Sequence, residues 1–371
     1  MRQDRNNKMK ALVAMSGGVD SSVAALLTKS AGYEVTGCTM KLWSGEETGE
    51  TSAEGTGELS GGGKTCCTLD DAEDARSVAR RLGFPFYVFN CRDAFREKVI
   101  LPFVESYEAG RTPNPCIECN RHLKFGHLYR RAAELGCDKI VTGHYARIEE
   151  REGRFFLKKA ADETKDQSYV LYCLTEEQLS HTLFPLGGIT KQEVRGLAEK
   201  NALVTAHKQE SQDICFVPDG DYAAVIRRIG GKNCPPGDFS DMQGKVLGTH
   251  KGIIHYTLGQ RRGLGISAAE PLYVVKIDPV SNTVVLGRNE DLFSRELDVP
   301  VFHWITGEVP AGEVRCSVKV RYRHKEQPAV LRITEEGRAH IVFDEPQRAV
   351  TPGQSAVAYA GDIVLGGGII A

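Results

Sequence analysis

The chain has 371 residues, 41% hydrophobic and 26% charged, with a formal net charge of −2. No apolar stretch reaches membrane-spanning length and no apolar signal region follows residues 1–5, so a cytoplasmic chain without membrane contact is expected. Eleven cysteines in such a chain point to thiol or metal chemistry and away from a disulfide scaffold.

The length accommodates two or three domains with their own cores. Residues 10–15 form an apolar run of strand length, followed by Ser16-Gly17-Gly18-Val19-Asp20-Ser21-Ser22. Residues 22–29 then carry alanines and leucines on one helical face. A strand, a glycine turn and a helix start place unpaired N–H groups and the positive end of the macrodipole together, an arrangement that attracts phosphate. Glycines allow close backbone approach, and Ser16, Ser21 and Ser22 supply hydroxyl donors. The Gly-Lys-Ser/Thr ending of a Walker A loop is absent, as is a Gly-x-Gly-x-x-Gly turn. Asp20 reads equally as an organiser of a metal or phosphate site and as a cap of the following helix.

Further along, residues 33–42 read as a strand, 70–82 as a helix and 85–90 as a strand. Residues 95–108 and 122–135 look helical, and 139–142 form a short buried strand. This alternation implies an α/β doubly wound parallel sheet with ligands at the carboxyl ends of its strands. Residues 43–64 are rich in Gly, Glu, Ser and Thr without periodicity, as in a mobile surface loop. From 216 the pattern changes: glycine and proline become frequent, as in Pro235-Pro236-Gly237. After 279, short alternating runs at 283–287, 315–322, 329–333, 340–343 and 355–360 suggest a small antiparallel barrel. The expected layout is a nucleotide domain over 1–215, a small connecting domain over 216–290 and a C-terminal β-domain over 291–371.

The near-neutral balance does not announce a nucleic-acid binder. Basic clusters are nevertheless present at Arg261-Arg262 and at Lys319, Arg321, Arg323, His324 and Lys325. Alone, they read as solvated surface charge. Thr112-Pro113-Asn114-Pro115-Cys116-Ile117-Glu118-Cys119-Asn120 sets two thiols at C-x-x-C spacing after a proline-rich turn. Cys215, between Ile214 and Phe216, reads equally as a reactive thiol and as a core residue. A zinc site would want a fourth ligand, and none sits nearby at the usual spacing. Cys66 and Cys67 are adjacent and are assigned to structure.

The Ser16–Ser22 string resembles the pyrophosphate loop of ATP pyrophosphatases. Nearly end to end, the chain resembles the bacterial tRNA-specific 2-thiouridylases. The strings that carry the likeness include Cys66-Cys67-Thr68-Leu69-Asp70-Asp71-Ala72, the Asn114-Pro115 turn with Cys119-Asn120, and Thr142-Gly143-His144-Tyr145-Ala146-Arg147. They continue through Lys165-Asp166-Gln167-Ser168-Tyr169, Phe184-Pro185-Leu186-Gly187 and the Cys215 segment. His255-Tyr256-Thr257-Leu258-Gly259-Gln260-Arg261, Arg321-Tyr322-Arg323 and Thr351-Pro352-Gly353-Gln354 complete the order.

That resemblance implies an adenine nucleotide alpha hydrolase-like domain that binds ATP with Mg²⁺ and acts on tRNA with a wobble uridine. Ala14, Met15, Ser16, Gly17, Gly18, Val19, Asp20, Ser21, Met40 and Gly143 would hold the nucleotide. Replacing the C2 carbonyl oxygen by sulfur requires that oxygen to become a leaving group, which adenylation achieves with release of pyrophosphate. The resemblance further implies a persulfide on Cys215, delivered by an upstream carrier, with Cys119 as nucleophile and a transient disulfide between them. Thiolates react, so at least one of these thiols should be easily ionised. Asn114, Pro115 and Cys116 would face a flipped target base. His144, Lys165, Asp166, Gln167, Arg321, Tyr322 and Gln354 would contact tRNA.

One position departs from the family pattern. Many relatives carry aspartate where this chain has Cys116. Cys116, Cys119 and Cys215 together resemble the three-cysteine set of iron–sulfur-dependent tRNA thiolases, in which one iron stays open to bind hydrosulfide. The cluster and the persulfide are alternative routes for the sulfur. The rival readings are a small-molecule ATP pyrophosphatase and a non-enzymatic RNA- or zinc-binding protein.

Overall fold

The computed structural model describes residues 8–43, 69–209, 214–217, 220–230, 234–334 and 337–371. These divide into two compact units: Met1–Arg96, Cys116–Gly220 and Asp362–Val364 form one, and Glu97–Pro115, Asp221–Gly361 and Leu365–Ala371 the other.

The first unit is built on β1 (Lys10–Ala14), β2 (Glu34–Lys41), β3 (Phe86–Asn90), β4 (Lys139–Val141) and β7 (Thr182–Leu183), all parallel in the order β3-β2-β1-β4-β7. β1 is central, and Ala11, Leu12 and Val13 are fully buried, as a strand covered on both faces requires. Helix α1 (Val19–Ser30) packs Val23, Ala24 and Ala25 into the core with Val35, Ala75, Val78 and Val141. Its start precedes the expected one by three residues. Gly18 is the N-cap in extended conformation, and having no side chain it leaves no capping signal in the sequence. Helix Leu69–Leu82 covers the one expected over 70–82 almost residue for residue.

β1 leads to β2 on one side, while β4 lies on its other side, so the strand order reverses between β1 and β4. Open α/β sheets bind ligands at such a point, outside the carboxyl ends of the strands. The segments that follow β1 and β4 meet there: a Cβ placed on Gly143 would lie 2.8 Å from the Ser21 nitrogen.

Two expected helices are more irregular than the sequence suggests. Residues 95–108 belong to α-turns Arg92–Phe95 and Leu101–Glu108 joined by a π-helical Arg96–Ile100. Residues 122–135 continue a helix that begins at Pro115–Glu118 and passes through a π-helical Cys119–His127 before Leu128–Glu134. A hairpin of β5 (Arg147–Arg151) and β6 (Arg154–Lys158) was not anticipated; it turns at Glu152 and Gly153, both at positive φ.

In the second unit, β8 (Gly237–Ser240), β9 (Val246–His250), β10 (Tyr273–Asp278) and β11 (Thr283–Gly287) form a small sheet in the order β10-β11-β8-β9. Helix Leu101–Glu108 belongs here because Tyr107 stacks on Tyr222 of helix Tyr222–Gly230, with ring centroids 6.2 Å apart. The C-terminal strands β12 (Phe293–Val299), β14 (Glu313–Lys319), β15 (Gln327–Ile333), β16 (Ala339–Arg348), β17 (Ser355–Ala360) and β18 (Ile363–Ile369) run β12-β16-β15-β14-β17-β18, and β13 (His303–Trp304) pairs with β18. Antiparallel pairing and an inner face of Leu297, Val318, Leu331, Ile341, Phe343 and Ala358 account for the alternating runs in the sequence. No helix among the described residues is long and apolar enough to cross a membrane.

Candidate active site

The loop after β1 is folded on itself by short side chains. Ser21 Oγ accepts from the Ser16 amide at 3.1 Å and donates to the Gly18 carbonyl at 3.1 Å; Ser22 Oγ donates to the same carbonyl at 2.9 Å. Gly17 has φ +73°, and a Cβ there would lie 2.2 Å from the Asp71 carbonyl oxygen. Only glycine satisfies both conditions. The N-cap Gly18 provides no side-chain acceptor, so the opening turn of α1 presents amides suited to an anion. Val19 is buried, Ala14 ends β1, and Met15 is buried beneath the loop, its carbonyl accepting from Thr39 Oγ1 at 2.5 Å. Met40, at the end of β2, is 8% exposed.

Asp20 is not the helix cap. Its Oδ1 accepts from Tyr145 Oη at 2.8 Å and from Lys191 Nζ at 2.6 Å. Tyr145 lies inside one of the strings that carry the likeness but without an assigned role, and Lys191 lies in none, because both are remote from the loop in the chain.

The segment after β4 is equally well fixed. His144 is 7% exposed, with Nδ1 2.7 Å from Thr142 Oγ1 and Nε2 3.3 Å from Lys124 Nζ. Burial, aided by the Lys124 charge, holds its pKa well below the usual histidine range, so the ring is neutral. As the ammonium only donates, Nε2 is the acceptor and Nδ1–H points to Thr142. His144 is therefore held in place as an internal prop of the segment after β4. Asp166 and Gln167 are tied down in the same way. Asp166 accepts from the Ala160 and Ser168 amides and from Ser168 Oγ, and Gln167 Oε1 accepts from the Tyr145 amide at 2.9 Å. Lys165 is partly exposed beside them.

Cys116 is exposed, whereas Cys119, one turn later, is 8% exposed and opens the π-helical segment. Such segments are frequent at functional sites because they re-aim side chains. Asn120, 1% exposed, anchors the turn by donating Nδ2 to the Val170 carbonyl at 2.8 Å. Behind it Cys173, which the sequence reading passed over, donates Sγ–H to the Ile117 carbonyl at 3.7 Å. Burial pushes the Cys173 thiol up to about 12, so it is an inert packing group. Cys215 is partly exposed between Ile214 and a fully buried Phe216 that meets Phe95 edge-on at 5.7 Å. Phe216 is thus the core residue of this segment. Cys66 and Cys67 and the loop over 44–64 lie outside the described residues.

Among the described residues no three His, Cys, Asp or Glu side chains are grouped to hold a metal ion. The described geometry therefore does not fit the three-thiol cluster suggested for Cys116, Cys119 and Cys215.

In the second unit, the turn preceding Asn114 and Pro115 is held from the C-terminal strands. The Thr112 amide donates to the Pro352 carbonyl at 2.9 Å, and Gln354 Nε2 donates to the Thr112 carbonyl at 2.8 Å. Arg321 sends one guanidinium nitrogen to the Leu258 and Ala349 carbonyls, at 3.2 and 2.9 Å, and to Thr351 Oγ1. Both side chains fix loops. Tyr322 stays partly exposed with Lys319 Nζ 5.7 Å from its ring centroid. Replacing Arg321 by methionine is expected to destabilise the protein by about 1–2 kcal/mol, because the Leu258 and Ala349 carbonyls and Thr351 Oγ1 lose a charged donor, Ala349 keeping that of Thr351. A urea titration checks this; unchanged stability with weaker tRNA binding would return Arg321 to the RNA surface.

A switch-point anion loop on a parallel sheet, followed by two β-rich modules, defines a HUP-domain protein built for nucleotide phosphates. Family models agree: tRNA methyl transferase HUP domain over residues 9–219, tRNA methyl transferase PRC-barrel domain over 224–288, and Aminomethyltransferase beta-barrel domain over 294–370. The tRNA-specific 2-thiouridylase MnmA of Clostridioides difficile (strain 630) is 49% identical over 363 residues, covering 97% of this chain and 98% of the relative. The tRNA-specific 2-thiouridylase MnmA 2 of Caldanaerobacter subterraneus subsp. tengcongensis is 50% identical over 368 residues, covering 99% and 98%. A 4-thiouridine synthetase–RNA complex with bound ATP aligns at 18% identity over 60% of this chain and 50% of that one, with a TM-score of 0.35, too loose a likeness to carry weight. The chain belongs to the tRNA-specific 2-thiouridylase family.

Proposed function

We propose that this protein is a cytoplasmic tRNA sulfurtransferase that uses ATP to replace the C2 oxygen of a wobble uridine by sulfur. Family membership over nearly the whole chain supports the reaction class. The observation that carries the ATP step is the loop at Gly17–Ser22, where a helix start without a capping side chain lies at the topological switch point.

In this reading the triphosphate lies along the opening turn of α1, with Ser16, Ser21 and the loop amides on its oxygens. The uridine O2 attacks the α-phosphorus, the bond to the bridging oxygen breaks, and pyrophosphate leaves. Asp20 is the loop carboxylate that would help hold Mg²⁺ against the phosphates. When bound with the nucleotide, the ion offsets charge on the leaving group. Met40 and Gly143, at the ends of β2 and β4, border the nucleoside. Gly143 has no room for a side chain against α1.

Sulfur transfer falls to Cys215 and Cys119. The terminal sulfur of a Cys215 persulfide, loaded by an upstream donor, bonds to C2 and AMP leaves. The Cys119 thiolate then attacks Cys215 Sγ, breaking the S–S bond so that both electrons stay with the sulfur on the base. The resulting Cys119–Cys215 disulfide is reopened by an external thiol. Asn114, Pro115 and the exposed Cys116 border the base, and Lys165 and Tyr322 contact tRNA. No step passes through an iron–sulfur cluster, since the described thiols are not grouped to hold one.

Native alkylation tests the division of labour among the thiols. Brief iodoacetamide treatment is expected to label Cys116 while Cys173 stays unmodified until denaturant is added, as read by peptide mass spectrometry. Rapid labelling of Cys173 in the native protein would contradict its place in the core.

A further inference from the structure

Lys191 belongs to none of the motifs that carry the family likeness, yet it reaches the phosphate loop from 171 positions along the chain. Its backbone is fixed from two sides. Thr190 opens helix Lys191–Lys200 with a reciprocal capping box to Glu193, and the Lys191 amide donates to Asp162 Oδ2 at 3.0 Å. The side chain is 11% exposed, with Nζ 2.6 Å from Asp20 Oδ1 and 5.7 Å from the centre of the Tyr145 ring. Tyr145 Oη donates to the same carboxylate oxygen, and the Tyr145 amide is held by Gln167. A cation is therefore set at a defined height above the first turn of α1.

An ammonium–carboxylate pair withdrawn from water is seldom a net gain in stability by itself. Its location suggests why it is kept. A helix start that accepts a triphosphate already carries the Asp20 carboxylate, and the two anions repel. An ammonium has three donors and accommodates more than one anion. We propose that Lys191 is a phosphate-binding residue of the nucleotide site, bridging Asp20 to the β- and γ-phosphates of ATP that depart as pyrophosphate. Asp20 and Tyr145 act as positioning residues that hold the ammonium there. The inference rests on the ATP reading given above.

The test is calorimetric titration of the full chain with ATP, with inorganic pyrophosphate and with AMP, each with Mg²⁺, for wild type and Lys191→Gln. Absence of ATP binding by the wild type would remove the ATP reading itself, independently of Lys191. With wild-type binding established, Lys191→Gln is expected to weaken ATP and pyrophosphate by about ten- to a hundred-fold, the worth of a charge-assisted bond. AMP, which lacks the bridged phosphates, should change by less than about threefold. Equal loss for ATP and AMP, or no loss for either, would overturn the proposal. Thermal melting of the unliganded variant shows whether it folds. If it does not, amine-reactive labelling of the wild type, read by peptide mass spectrometry, takes its place. A phosphate-binding Lys191 is then protected by pyrophosphate and not by AMP, whereas equal protection by both, or by neither, overturns the proposal.

Discussion

Cys119→Ser is expected to abolish thiolation of tRNA, by at least about a hundredfold, while the tRNA-dependent burst of pyrophosphate persists. The reason lies in the separation of the two half-reactions. In the proposed mechanism adenylation draws on the loop at Gly17–Ser22, whereas Cys119 acts only after AMP has become a leaving group. A serine hydroxyl fits the same space, 8% exposed at the start of the π-helical turn, and Asn120 continues to anchor that turn to Val170. What is lost is the ionisable sulfur, since a hydroxyl at neutral pH does not displace a disulfide sulfur. Rapid-quench measurement of pyrophosphate beside mass spectrometry of digested tRNA checks both halves. Wild-type levels of 2-thiouridine from the serine variant would remove Cys119 from the chemistry.

Gly17→Ala should be nearly as damaging, and on the other half-reaction. At φ +73° an L side chain is strained, and its Cβ would fall 2.2 Å from the backbone oxygen of Asp71. The strain alone costs about 1–3 kcal/mol, and the backbone of helix Leu69–Leu82 cannot yield as a flexible side chain would. The loop must open away from Asp71, which separates Ser16 from Ser21 and disperses the donors that face the phosphates. ATP affinity is expected to fall by more than about tenfold, with a lowered unfolding midpoint. Gly18→Ala provides the comparison, since Gly18 is extended and the nearest neighbour to its added methyl is Ser16 Oγ at 3.6 Å. Equal ATP affinity in Gly17→Ala and wild type would mean that the loop does not hold the phosphates.

The parts of this site that were legible in sequence are those written in contiguous residues. The strand, glycine turn and helix at 10–30 were readable because each step has a local signature. Helix Leu69–Leu82 and the alternating C-terminal strands followed from periodicity. The start of α1 was misplaced because its cap is a glycine, and the π-helical turn at Cys119–His127 has no periodicity of its own to betray it. Lys191 and Tyr145 escaped because their partner is remote; helix Lys191–Lys200, with its capping box at Thr190 and Glu193, was not anticipated at all. Family likeness singled out His144, Asp166, Gln167, Arg321 and Gln354, but not the hydrogen bonds that tie each of them to backbone or to neighbouring side chains, since those partners are remote or lie in turns without a sequence signature.

The most direct test of the central claim is to incubate the full-length protein with ATP, Mg²⁺, a persulfide donor and unmodified tRNA, then quantify nucleosides at the wobble position together with AMP and pyrophosphate. The account predicts 2-thiouridine at that position, with one AMP and one pyrophosphate released per sulfur inserted. ATP hydrolysed to ADP, or pyrophosphate released without tRNA and without thiouridine, would contradict it and favour an ATP-using enzyme of another kind on the same fold.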